Sequence, residues 1–276
     1  MHSDVIIIGA GAAGLMCAIS AAEQGKQVSV LDHANKAGKK ILISGGGRCN
    51  FTNLYTEPSN FLSSNAHFCK SALKRYTQWD FIAELDKANI PWHEKKLGQL
   101  FSDNKSQAIL DFLLDRCEQL GVVILLNYSV LSIDQDAQQN FVLRGEASSH
   151  TTQALVIATG AMSFPTMGAT DFGHKIARQF GLKVTDTKPA LVPLTFDQTQ
   201  KDRFDGLAGI AIDSVIECNN QSFHENLLFT HKGISGPAVL QISSYWRPGN
   251  KLIITCLPDI NLHEELMQKQ TELPSK

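Results

Sequence analysis

No stretch of this chain stays apolar for the ~20 residues that crossing a bilayer requires. The opening run Val5-Ile6-Ile7-Ile8 is short. It has no basic segment before it and no cleavage pattern after it, so it does not read as a signal peptide. The expectation is a cytoplasmic location with no membrane partner. A strong charge of either sign is also missing: net charge is −2 and the pI is near 6.5. No global basic field therefore draws the chain to nucleic acid or anionic lipid, and the expected partner is a small-molecule substrate. The six cysteines form no CxxC pair and none stands at ligand spacing to histidine. Disulfides and structural zinc are not expected, and no metal is. A Gly-x-Ser-x-Gly elbow and an HExxH helix are both absent, which leaves a hydrolase without support.

What is present is a regular alternation of strand and helix patterns. Residues 4–8 read as a parallel strand buried on both faces. Residues 12–24 read as a helix with Leu15, Ile19 and Ala22 on one face, closed by Gly25. Val28, Val30 and Leu31 make a second strand that ends at Asp32. Residues 36–53 are rich in Gly, Lys, Ser and Asn and read as a long loop. Helices follow at 69–88 (core candidates Leu73, Tyr76, Ile82, Leu85) and 105–120 (Ile109, Leu113, Cys117, Leu120). Strands are expected at 122–126, 128–134, 140–145 and 153–158, then a helix at 171–180. After Pro189 and Pro193 the pattern turns strand-like, at 191–196, 208–217 and 223–229. A helix opens at Gly236-Pro237, and a strand covers 251–257. The expected division is a first domain over 1–188 and a second, mainly β domain over 189–276.

Three segments carry chemistry. The first is Gly9-Ala10-Gly11-Ala12-Ala13-Gly14, between the first strand and the first helix, with Asp32 18 residues after Gly14. Gly9 permits the tight turn, Gly11 lets a pyrophosphate approach the backbone, and Gly14 lets helix and strand pack closely. The helix N-terminus offers free amides to phosphate, and Asp32 can accept hydrogen bonds from ribose hydroxyls. The second is Lys39-Lys40 through Ser44-Gly45-Gly46-Gly47-Arg48-Cys49-Asn50, where glycine backbone and cationic side chains can crowd an anion. Cys49 is read as a loop or packing residue, with a redox thiol as the weaker alternative. The third is the apolar strand running into Ala158-Thr159-Gly160. Val130 completes the expected cofactor set, which also includes Ala12, Ala13 and Lys40. His231, in a loop before the Gly236-Pro237 helix, is the candidate proton donor.

These stretches, together with Pro189–Leu194 and Leu228–Ala238, make the sequence similar to the BaiN-like, or aminoacetone-oxidase-type, family of NAD(P)/FAD-dependent oxidoreductases. The resemblance implies an α/β fold: a Rossmann-like FAD-binding domain of the two-dinucleotide-binding flavoprotein type, with a second, mainly β inserted domain. It implies FAD extended from Gly9–Gly14 and Asp32 toward Ser44–Asn50 and Ala158–Gly160, with NAD(P)H as electron donor. Some members act on unsaturated bile-acid intermediates. Members also continue well past the position of Lys276, so the resemblance implies an activity held by a longer chain. At Gln99-Leu100-Phe101-Ser102 the family often has Arg before Phe-Pro, and at Asp171 often a second glycine. The competing readings are a non-catalytic remnant that holds an adenine dinucleotide weakly and an NAD-dependent dehydrogenase built on the same fingerprint.

Overall fold

The computed structural model describes residues 2–260 and 262–272. The chain divides into two compact units, one running to Val184 and the other from Thr185.

The first unit opens with β1 (His2–Ile8), α1 (Ala12–Glu23) and β2 (Val28–Leu31). Then come α2 (Lys39–Ile43), a 3-10 turn over Ser44–Gly47 and β3 (Asn50–Asn53). Next are α3 (Lys70–Arg75), α4 (Gln78–Lys87), β4 (Trp92–Glu94), β5 (Gln99–Ser102) and α5 (Lys105–Gln119). The unit closes with β6 (Val123–Leu125), β7 (Ser132–Gln135), β8 (Phe141–Arg144), β9 (Ser149–Ile157) and α6 (Phe172–Gln179). A six-stranded sheet has the order β6-β2-β1-β9-β8-β7. Its β6, β2, β1 and β9 run parallel, and β8 and β7 add on antiparallel.

The Val5–Ile8 part of β1 is apolar because both faces are covered. Ile7 packs with Leu15 and Ile19 of α1 and Leu113 of α5. Ile6 and Ile8 face the opposite layer, with Ile133, Leu143 and Ile176. This is the burial that a continuous β-branched strand in a parallel sheet requires. A smaller three-stranded sheet, β3-β5-β4, stands beside it.

Several expectations change here. The 36–53 loop holds α2, the 3-10 turn and β3. Ile41 is buried under α5, and Gly45 and Gly46 take left-handed backbone in the turn. The single helix expected over 69–88 is two helices. Thr77 caps α4, accepting from the Asp80 amide while the Asp80 carboxylate accepts from the Thr77 amide and hydroxyl. That reciprocal cap starts a new helix and leaves Tyr76 outside both, exposed rather than in the core. Leu120 is likewise not core, because it caps the end of α5. Residues 128–131 are not strand, while β4 and β5 were not expected: both are short, and β5 takes β3, far back in the chain, as its second partner.

The second unit contains β10 (Leu194–Thr195), α7 (Gln198–Arg203), β11 (Ala211–Cys218), β12 (Gln221–Thr230), β13 (Gly233–Ser235), α8 (Pro237–Ser243), β14 (Ile253–Thr255) and α9 (Leu262–Glu272). Its five-stranded antiparallel sheet, β10-β13-β12-β11-β14, is covered by α8. Ala238, Val239 and Ile242 close over Ile216 and Leu227.

His150 on β9 is buried edge-on to Tyr128, with ring centroids 5.0 Å apart, and neither ring nitrogen has a partner among the described residues. Burial holds its imidazole below the ordinary histidine range. Protonation therefore favours the unfolded chain, so the stability this residue contributes is lost as pH falls through the unfolded value of about 6.5. Denaturant titrations at pH 7.5 and pH 5 should show stability falling with pH. The fall should be smaller in His150→Phe, and an equal fall in both proteins would contradict a neutral buried imidazole.

Candidate functional site

A cavity of about 1490 Å³ opens in the first unit, beyond the carboxyl ends of β1 and β2. It exceeds the ~300–1,000 Å³ typical of pockets for drug-sized ligands. Its rear wall is the turn between β1 and α1. A Cβ added to Gly14 would lie 1.8 Å from the Gly9 carbonyl oxygen, and one on Gly9 would lie 2.4 Å from the Ala158 carbonyl oxygen. At Gly11 the same atom would meet nothing within 4 Å. The three glycines thus do different work. Two admit backbone against backbone, and the third keeps the approach to the cavity clear.

Asp32 braces this turn. Its Oδ2 accepts from the Ala10 amide at 2.7 Å and its Oδ1 from the Ala34 amide at 2.8 Å. A carboxylate oxygen has two acceptor positions, so both remain able to accept from a ligand hydroxyl.

The structure brings the three sequence segments to one cavity. Gly9, Gly11, Ala12, Ala13 and Asp32 line it, as do Lys40, Ser44, Cys49 and Asn50, then Val130, Ala158, Thr159 and Gly160. Lys40 joins two of these segments. Its Nζ donates to the Ala161 carbonyl at 3.4 Å and the Ser163 hydroxyl at 3.3 Å. Gly14, Gly45, Gly46, Gly47 and Arg48 do not line the cavity. Gly14 sits beneath it, Arg48 is exposed, and a Cβ on Gly45 would stand 2.6 Å from the Phe101 ring. Cys49 is buried at positive φ, and burial pushes its thiol up, which keeps it protonated. All six cysteines are free. His231 lies in the exposed turn between β12 and β13 of the second unit.

Sequence reasoning missed the far wall. Glu23, Tyr76, Glu84 and Arg116 also line the cavity. Arg116 pairs with both Glu23 and Glu84, and the Tyr76 hydroxyl donates to Glu84 at 3.1 Å. Burial, together with Glu84, pushes that hydroxyl well above the usual tyrosine range. Met16, Ser20 and Glu23 recur along one face of α1, and that spacing was the available signal. Glu84, on α4, faces Arg116. Elsewhere among the described residues, Asp213, His224 and Asp259 gather on the exposed face of the second unit, their potential ligand atoms within 4.8 Å.

The HI0933-like protein Rossmann domain family matches residues 3–255. The chain belongs to this family. Its fold is that of the α/β Rossmann-like FAD-binding domains, with additional β sheets. It is 52% identical over 274 residues to a ribosomal RNA dihydrouridine synthase of Escherichia coli strain K12, spanning 99% of this chain and 68% of that protein. It is 46% identical to a Haemophilus influenzae protein of the same name, spanning 100% of this chain and 69% of the relative. A 3-dehydro-bile acid delta(4,6)-reductase of Clostridium scindens is 29% identical over 88% of this chain, which spans 60% of that protein.

The glycine geometry separates fold from ligand space. Gly14→Ala should destabilise by more than about 2 kcal/mol, as overpacking against backbone does. Gly11→Ala should stay within about 1 kcal/mol, the range of a changed helix cap. Urea unfolding of the two variants checks this. Equal losses would mean that the α1–β1 contact is looser than described.

Proposed function

We propose that the chain holds FAD in this cavity and belongs to an oxidoreductase that reduces uridine in ribosomal RNA, with NAD(P)H as electron donor. Membership of the family supports a flavoprotein oxidoreductase. The observation that carries the cofactor reading is the meeting of Gly9–Ala13, Asp32, Lys40, Ser44, Cys49, Asn50 and Ala158–Gly160 around one cavity. The 52% and 46% identities over nearly the whole chain favour the ribosomal RNA substrate over a small organic one.

The residues present fit an extended dinucleotide. The unfilled space at Gly11 and the N-terminal amides of α1 would receive the pyrophosphate. Asp32, held by Ala10 and Ala34, would accept from the ribose hydroxyls. Lys39 and Lys40 would place positive charge beside the phosphates. Val130, Thr159 and Gly160 would border the remainder of the cofactor. Bound FAD would supply the two-electron carrier that takes hydride from the nicotinamide and delivers it to the pyrimidine double bond. The reduced pyrimidine also needs one proton. The bile-acid reductase keeps a second reading in view, a small unsaturated substrate at the same cofactor.

Purified protein should be yellow and release FAD on denaturation. Gly11→Ala should weaken FAD uptake about tenfold, equivalent to about 1.4 kcal/mol. With NAD(P)H and unmodified ribosomal RNA, mass spectrometry should find uridines gaining two hydrogens. FAD uptake with no RNA product, but with turnover of a small enone, would favour the second reading. A colourless protein that refuses added FAD would sink the cofactor assignment, and FAD uptake without NAD(P)H oxidation by any acceptor would mark a non-catalytic remnant.

A further inference from the structure

The near-neutral total charge conceals a strong asymmetry. Residues 31–100 carry ten lysines and arginines against six aspartates and glutamates, a net +4 in a chain whose total is −2. Part of this charge faces the cavity, at Lys36, Lys39 and Lys40. Another part does not. Lys70, Lys74 and Arg75 of α3 are exposed, outside the cavity lining, and none is engaged in an ion pair among the described residues. Arg116 and Arg144, by contrast, are matched to carboxylates.

Aromatic exposure falls in the same place. Among the described residues six large aromatic side chains are strongly exposed, and five of them are Tyr55, Phe61, Phe68, Tyr76 and Trp79. Phe68 is 80% exposed and Trp79 is 57%. Residues 59–68 are exposed without interruption. Scattered surface hydrophobes need no explanation. Concentration within 25 residues, interleaved with unpaired cations, does, because a chain that merely needed solubility would not place its rings there. The pairing of aromatic faces with unpaired cations is the chemistry that takes unpaired nucleotides: cations track the phosphates while rings stack on the bases. The segment also borders the site. Ala72, Leu73 and Tyr76 line the cavity, while Lys70, Lys74 and Arg75 of the same stretch are exposed and outside its lining.

We propose that the Tyr55–Trp79 segment is the surface on which single-stranded RNA lies, with its phosphates on Lys70, Lys74 and Arg75 and its bases stacked on Phe68 and Trp79. The strand then runs along the rim of the cavity. This inference rests on the RNA reading given above, and it adds where the RNA is held.

The test is fluorescence anisotropy of a labelled single-stranded RNA oligonucleotide with the FAD-loaded protein, over a range of salt. The triple variant Lys70→Gln, Lys74→Gln, Arg75→Gln should weaken binding at least about tenfold. It should also lower the slope of log affinity against log salt by about 2, at roughly 0.7 per phosphate lost. Phe68→Ala should weaken binding about tenfold with little change of slope, as loss of one stacked base does. FAD uptake and NAD(P)H oxidation with a dye acceptor should match wild type in both variants. If the variants bind RNA as wild type does while wild type still makes dihydrouridine, the surface is wrong and the function stands. If wild type binds RNA through this surface but makes no dihydrouridine, the surface stands and the function falls. If wild type neither binds RNA nor makes dihydrouridine, both fall. A wild-type dimer that Phe68→Ala converts to monomer, with RNA affinity unchanged, would assign the surface to a second copy of the chain and overturn the inference.

Discussion

Helix α1 rests against strand β1 with no room for a side chain between them. The missing Cβ at Gly14 leaves space that the Gly9 carbonyl occupies, and the missing Cβ at Gly9 leaves space for the Ala158 carbonyl. This backbone-to-backbone contact sets where the N-terminus of α1 lies. It also draws the end of β9 against the same turn, and Asp32 ties in the end of β2 through the Ala10 amide. The ends of three neighbouring parallel strands therefore converge on one helix terminus, the position at which open α/β sheets place their ligands. The cavity follows from that convergence.

Much of this was legible because it is local. Strand, glycine turn, helix, strand and terminal acid lie within the first 32 residues, and each position has one mechanical reason to be what it is. The parallel β1 and the Pro237 start of α8 could be read for the same reason: hydrophobic period and proline chemistry act within a few residues. What could not be read depends on distance along the chain. Lys40 meets the segment after β9 across 121 positions, and Arg116 meets Glu23 across 93. The β3-β5-β4 sheet exists only because three short segments, none strongly apolar, find each other. The break between α3 and α4 was written in the sequence, as Thr77 three residues before Asp80, but an apolar pattern continuous across it concealed the cap.

Net charge misleads for a related reason. A total of −2 is an average over regions of opposite sign, and a ligand near the surface feels only charges within about a Debye length, ~8–10 Å. The exclusion of a polynucleotide from total charge was therefore weak. Once the chain is folded, the relevant quantity is the local balance, which is positive around α2 and α3.

The same local balance gives the cavity a direction. At the glycine turn it presents the amide end of α1 with Lys39 and Lys40, a positive environment. At the far wall it presents Arg116 shared between two carboxylates, Glu23 and Glu84, so that the group carries one more negative charge than positive. A polyanionic ligand gains by placing its phosphates at the first wall and loses by placing them at the second. In the proposed function this polarity orients the dinucleotide. Its charged middle is held at the turn where α1 meets β1, and the Glu23–Arg116–Glu84 wall is left to uncharged groups.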